Sequence, residues 1–210
     1  MNLSIDDLSA AAMYHWMTGL ITPRPIGWVS TTSSRGHVNL APYSFFNGVG
    51  ANPPCLMFCP ANKDDGSPKD TLRNITETGQ FAVNLVTEAF GESMNTTAAG
   101  YEADVDEFDM AGLEKVACQT IDVPRVAAAA ATFECKLMHA MTLGTGPGGA
   151  NLVLGRITHL HVDDSLMVDG KLDLSRLATI GRMGGPEYCR TNDKFEMPRP
   201  KIPAPRVSED

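Results

Sequence analysis

No stretch of this 210-residue chain approaches the ~18 consecutive apolar residues that a membrane helix requires, so no membrane partner is expected. The opening MNLSIDDLSAAAMYHW lacks the basic start and unbroken apolar core of a secretory signal. Positive charge is also scarce. Seventeen Lys and Arg face 25 Asp and Glu, a formal net charge of −8, and no basic cluster offsets it. That balance argues against nucleic acid as a partner. The five cysteines are odd in number and without paired spacing, which fits reduced thiols in a cytoplasmic protein and not a disulfide framework. No Gly-x-Ser-x-Gly elbow is present, so hydrolysis has no positive support. Without internal repeats, a chain of this length suits one substantial core.

What is present is a series of short strand signals with few helices. Residues 1–22 read as a helical lead-in. Strand-like segments follow near 24–32, 37–45 and 55–60, with the Ser33–Gly36 cluster reversing the chain between the first two. Asp70 caps a helix that runs to about Thr78, where Gly79 stops it. Residues 81–86 read as a buried strand and 88–99 as a second helix. Residues 100–120 are acidic and weakly patterned, as in a surface excursion. The Ala127–Ala131 run suits a helix by propensity, although tertiary context can override that. Residues 132–143 and 151–162 read as strands, the latter with Leu152, Leu154, Arg156, Thr158, Leu160 and Val162 on one parity. The main unit spans 23–196, and a proline-rich tail, 197–210, follows it. This pattern predicts a mainly β domain, best closed as a barrel.

Small hydroxyl and amide residues gather where the first strands end: Ser30, Thr31, Thr32, Asn39, Ser44 and Asn47. With freed backbone N–H groups, they suit a flat, polar-edged ligand carrying a phosphate. Lys69-Asp70-Thr71 adds a cation at a helix start, where an anion is best held. The runs PRPIGWVST, Asn39-Leu40-Ala41-Pro42-Tyr43-Ser44-Phe45-Phe46, KDTLRNI and FAVNLV appear in that order. Leu154-Gly155-Arg156 and Gly181–Tyr188 follow. Together these motifs, over roughly 20–190, resemble the flavin reductase-like family.

The resemblance implies a Greek-key FMN-binding split β-barrel with peripheral α-helices, assembled as a homodimer. It implies FMN, more than FAD, as the cofactor and NADH or NADPH as co-substrate. Lys69 and Thr71 become leading phosphate ligands, with Thr31, Thr32 and Asp70 in support. Asn39, Ala41, Tyr43, Ser44, Phe45 and Phe46 line the ring slot, partly through backbone atoms. Arg182 holds a flavin or nicotinamide phosphate, and Tyr188 covers the ring. Arg24 is a weaker candidate, because a PRP triplet also serves to shape the start of a strand. No side-chain acid or base is assigned, because hydride transfer to flavin depends mainly on close stacking. The expected activity is NAD(P)H-dependent flavin reduction, passing electrons to an acceptor or a partner monooxygenase. The alternatives are a flavoredoxin-like carrier reduced by a partner protein and an FMN-dependent oxygenase with its own organic substrate.

Other signals carry less. Gly144–Gly149 superficially resembles a phosphate loop, but no helix opens after it and Pro147 interrupts it, so a hairpin turn is expected. His159 and His161 share a strand face as metal ligands do, yet no third and fourth partners stand at suitable spacing, so no metal is expected. Cys55 and Cys59 read as small buried hydrophobes. Cys189 is the one thiol expected near a flavin.

Overall fold

The computed structural model describes residues 1–200; the proline-rich tail expected at 197–210 lies outside the described residues beyond that point. The elements are α1 (Ala10–Leu20), β1 (Gly27–Thr32), β2 (Val38–Tyr43), β3 (Phe46–Ala51), β4 (Pro54–Phe58), α2 (Asp70–Thr78), β5 (Gln80–Leu85), α3 (Gly91–Thr96), α4 (Glu107–Met110), β6 (Lys115–Ala117), β7 (Pro124–Val126), β8 (Ala131–Thr142), β9 (Asn151–Val162), β10 (Met167–Val168), β11 (Lys171–Leu172), β12 (Ile180–Arg182) and β13 (Tyr188–Arg190).

Seven strands form one antiparallel sheet in the order β2-β1-β5-β8-β9-β4-β3. Its two end strands, β2 and β3, are consecutive in the chain and joined only through Ser44 and Phe45. The sheet therefore curls on itself as a split β-barrel with peripheral helices.

Alternation along β1 shows how both sheet faces are covered. Val29 packs inside the barrel with Tyr43, Leu56, Phe58, Phe81, Val83, Cys135 and Val153. Its neighbour Trp28, also fully buried, belongs to an outer cluster with Leu40, Val86, Met94, Phe108 and Val126. Successive side chains of a strand point to opposite faces, so two cores form back to back. Inside the barrel, Phe58 lies 4.9 Å from the Tyr43 ring and 5.6 Å from that of Phe81. β9 passes over Phe81 at Gly155, where a Cβ would meet the Phe81 Cζ at 2.3 Å.

Helix α2 closes one end of the barrel. Leu72 and Ile75 bury into the inner core, and Gly79, at φ 71°, ends the helix in the left-handed region glycine adopts without strain. Two side-chain hydrogen bonds fix its first turns to the sheet: Asn39 Nδ2 donates to Thr71 Oγ1 (2.8 Å) and Asn74 Nδ2 to Thr31 Oγ1 (3.1 Å).

Several local expectations are corrected. The second strand does not run through to 45; it breaks at Ser44, and a separate strand β3 follows. The segment 127–130 forms a turn before β8, because the alanines fold back to pair 131 onward with β9. Residues 100–120 are more than a surface excursion. They carry α4, whose Phe108 is wholly buried in the outer core. The expected helix over 88–99 is reduced to a short 3₁₀ turn and α3.

Candidate functional site

The principal cleft, about 540 Å³, opens beside the N-terminus of α2. Its floor comes from the end of β2, with Asn39, Ala41, Tyr43 and Ser44. Lys63, Lys69, Asp70 and Thr71 form one end, while Arg182 and Tyr188 reach it from the C-terminal hairpin. Residues 97–102 and Glu107 provide a further wall.

Each wall has a local cause. Trp28 Nε1 donates to Thr97 Oγ1 (2.8 Å), and Thr97 donates in turn to the Met94 carbonyl (2.8 Å), holding the segment after α3 at the cleft. Glu107 Oε2 accepts the Leu40 N–H at 3.0 Å, tying α4 to β2. Burial raises the Glu107 carboxyl above its usual range, although that N–H opposes the shift. Arg24 ties three segments together. Its guanidinium donates to the carbonyls of Thr18 (2.6 Å), Ile21 (2.7 Å) and Met183 (2.9 Å), and its Nε reaches Ser44 Oγ at 3.4 Å. Backbone bonds in both directions between Arg24 and Arg182 (2.9 and 2.8 Å) attach β12 beside the start of β1. This attachment brings Arg182 and Tyr188 to the cleft. Their side chains then stack, with the guanidinium carbon 4.5 Å from the Tyr188 ring centroid, and Arg182 also donates to the Gly185 carbonyl at 2.6 Å.

Charge is divided along the cleft. Lys63 pairs with Asp70 at 2.8 Å, and Arg73 pairs with the same carboxylate from the helix side. Burial works against the Asp70 anion, but these two cations outweigh it and hold its pKa below the usual carboxylate value. Lys69 has no ion-pair partner among the described residues, and its Nζ lies 5.9 Å from the Tyr43 ring centroid. The first turn of α2 has no side-chain cap. An anion at this end therefore meets a free ammonium together with helix N–H donors. The Tyr43 hydroxyl is buried and makes no hydrogen bond of acceptable geometry, even to nearby Thr71. Burial, and then the charges of Asp70 and Glu107, push its pKa well up, so it is a neutral donor.

Of the residues singled out in the sequence, Asn39, Ala41, Ser44, Lys69, Asp70, Thr71, Arg182 and Tyr188 all line this cleft. Ser30, Thr31, Thr32 and Phe45 do not. Ser30 Oγ donates to the Pro124 carbonyl (2.7 Å), and Thr31 accepts from Asn74, so both join elements around the barrel. Thr32 Oγ1 is buried without a partner. Phe45 packs edge-on against Tyr14 at 6.3 Å. Tyr43, also expected at the ring slot, lines the cleft and Phe46 does not, while Tyr14, Lys63, the 97–102 wall and Glu107 line it without having been singled out. Lys63 lies within a polar, turn-rich loop that resembles solvated surface, and Glu107 within a segment that has no periodicity to mark it.

The flavin reductase like domain family matches residues 18–173. The match stops short of Arg182 and Tyr188, which reach the cleft through the pairing of β12 with Arg24. Protein BH2278 of Halalkalibacterium halodurans, itself uncharacterised, is 37% identical over 96% of this chain and 98% of its own length. Among solved structures, nitrilotriacetate monooxygenase component B from Bacillus cereus is 33% identical with a TM-score of 0.88, covering 94% of this chain and 98% of that one. The 2-nitrobenzoate 2-nitroreductase NbaA of Pseudomonas fluorescens is 31% identical with a TM-score of 0.86, over 98% of this chain and all of that one.

Proposed function

The chain belongs to the flavin reductase like domain family, and on that footing we propose that it is an FMN-dependent oxidoreductase that takes hydride from NADH or NADPH. The donor set fits the group. A free lysine and a helix N-terminus stand at one end, neutral hydroxyl and amide donors along the floor, and a Tyr/Arg stack at the other. The observation that carries the reading is this polarity, anion-holding at α2 and aromatic at the C-terminal hairpin, within one cleft.

Lys69, the α2 N–H groups and Thr71 would hold the phosphate. Asn39 keeps Thr71 in place through its 2.8 Å bond, and Asp70 keeps Lys63 at the rim. The unpaired Lys69 at the start of α2 suits the terminal monophosphate of FMN. Ser44 and the backbone at Ala41 would meet the polar edge of the ring. Tyr188, braced by Arg182, covers the open side and limits water. Bound flavin supplies hydride acceptance at N5 and onward electron transfer, chemistry that needs orientation more than a side-chain base. Glu107 ties α4 to β2 through Leu40 N–H, and no proton transfer is assigned to it. We further propose a homodimer, as the resemblance implies, working in the cytoplasm, where its five free thiols remain reduced.

The test is anaerobic mixing of FMN-loaded protein with NADH and, separately, NADPH, following the oxidised-flavin absorbance. Rapid bleaching by one of them identifies the donor. Stable FMN that dithionite reduces but neither nicotinamide bleaches overturns the reductase reading. The likeness to a nitroreductase over nearly the full chain favours one second reading, in which a nitroaromatic is the acceptor in the same cleft. Reoxidation of the reduced protein by a nitroaromatic, without oxygen, distinguishes it.

A further inference from the structure

Away from the cleft, β8 and β9 assemble a cluster that residue spacing along either strand does not reveal. Glu134 faces His159 directly across the ladder, and Thr132 faces His161, so the two imidazoles and the carboxylate share one sheet face. The register then slips between Glu134 and Cys135, leaving Thr158 as an extra residue on β9. A bulge of this kind re-aims side chains. Thr158 Oγ1 accordingly reaches Thr120 Oγ1 (2.8 Å) on the same side as the histidines. Donor atoms of Glu134, His159 and His161 all lie within 4.8 Å of one another.

An ordinary structural ion pair accounts for only part of this. The Glu134 side chain is wholly buried and already accepts three hydrogen bonds of 2.6 Å, from Gln119 N, Thr120 N and Thr120 Oγ1. Those three bonds anchor the 119–120 loop without help from a histidine. His161 Nε2 nonetheless meets Glu134 Oε1 at 2.5 Å. His159, its ring centroid 4.7 Å from that of His161, has no hydrogen-bond partner among the described residues. A second imidazole held beside a bonded imidazole–carboxylate pair has the composition of a two-His, one-carboxylate metal site. Outer-shell donors already orient the carboxylate.

We propose that Glu134, His159 and His161 bind a divalent cation of the borderline class, zinc being the reference member, with remaining positions open to water. The cation takes the place of the hydrogen bond between His161 Nε2 and Glu134 Oε1. Donor atoms around a tetrahedral zinc stand about 3.3 Å apart, so those of the cluster, within 4.8 Å of one another, draw together on binding. The site shares no residue with the cleft and stands independently of the flavin reading.

The test is calorimetric titration of Zn2+ into the EDTA-dialysed protein. Co2+ absorption serves as a coordination readout. The expected result is one ion per chain and a visible Co2+ band. His159→Ala breaks no hydrogen bond and should retain the fold while weakening Zn2+ binding at least about 10-fold; His139→Ala should bind as the parent does. Absence of saturable one-to-one binding, or unchanged affinity in His159→Ala, overturns the assignment. A parent-like thermal transition for that variant separates metal loss from misfolding.

Discussion

Replacing Lys69 by Ala should weaken FMN binding while leaving riboflavin binding alone. Lys69 caps α2 through its backbone, and its ammonium has no ion-pair partner among the described residues, whereas Lys63 is engaged by Asp70 at 2.8 Å. A cation at a helix N-terminus opposes the macrodipole, by about 0.3–1 kcal/mol at exposed sites. In the absence of ligand the substitution is therefore neutral or slightly stabilising. With a phosphate present the sign reverses. A hydrogen bond to a charged group contributes about 1.5–3 kcal/mol when shielded, and an exposed ion pair about 0.2–1 kcal/mol. Lys69 is an exposed residue at the rim of a cleft, so about 1–2 kcal/mol is the appropriate range, roughly 5–30-fold in Kd. Fluorescence-quenching titrations with FMN and with riboflavin, on parent and variant, isolate the phosphate contribution. The loss should appear with FMN only and shrink as salt rises. An equal loss for both ligands, or none for FMN, would refute the placement of the phosphate at α2.

Arg24→Ala removes a buried guanidinium that donates to three carbonyls. It should cost at least about 3 kcal/mol in urea unfolding, because those acceptors are left without a partner. Gly155→Ala should destabilise by more than about 2 kcal/mol, because the new Cβ lands 2.3 Å from the Phe81 ring and that ring is locked in the inner core. Parent-like unfolding would show that β9 can shift. Glu107→Gln concerns a carboxyl whose pKa burial raises above 4.5. A raised carboxyl favours the fold below its unfolded pKa, and that advantage is lost as pH rises through the higher folded value. Because glutamine can still accept the Leu40 N–H, the variant should be more stable than the parent at pH 7–8. The difference should close toward pH 4.5; a gap independent of pH would contradict the raised pKa.

The legible parts of the sequence were those whose physics is local. The alternation of 27–32, the helix start near Asp70 and the Gly79 stop each depend on a few neighbouring residues and appear in the fold, although Lys69 and not the expected Asp70 stands at the cap, with Asp70 the first helical residue. Thr31 shows the limit of that reading. A hydroxyl at a strand end suits a phosphate ligand by type, but the structure uses it to receive Asn74 and seat α2, so it acts on the cleft through Thr71 and Lys69. Phe108 and Glu107 were illegible for a related reason. α4 is four residues long, too short for a periodic signal, and its burial depends on Trp28 and Leu40 far away in sequence. The third member of the histidine cluster was hidden because Glu134 meets His159 only through the β8–β9 register, which no spacing within β9 encodes.

In the proposed function one cleft binds FMN with its phosphate at the start of α2 and its ring toward the C-terminal hairpin. A crystal structure of the protein with FMN tests it most directly. The predicted result has the phosphate bonded to the α2 N–H groups, Lys69 and Thr71, and the ring between the Ala41–Ser44 floor and Tyr188. A phosphate held at Arg182 with the ring over α2, or FMN bound outside this cleft, would contradict it.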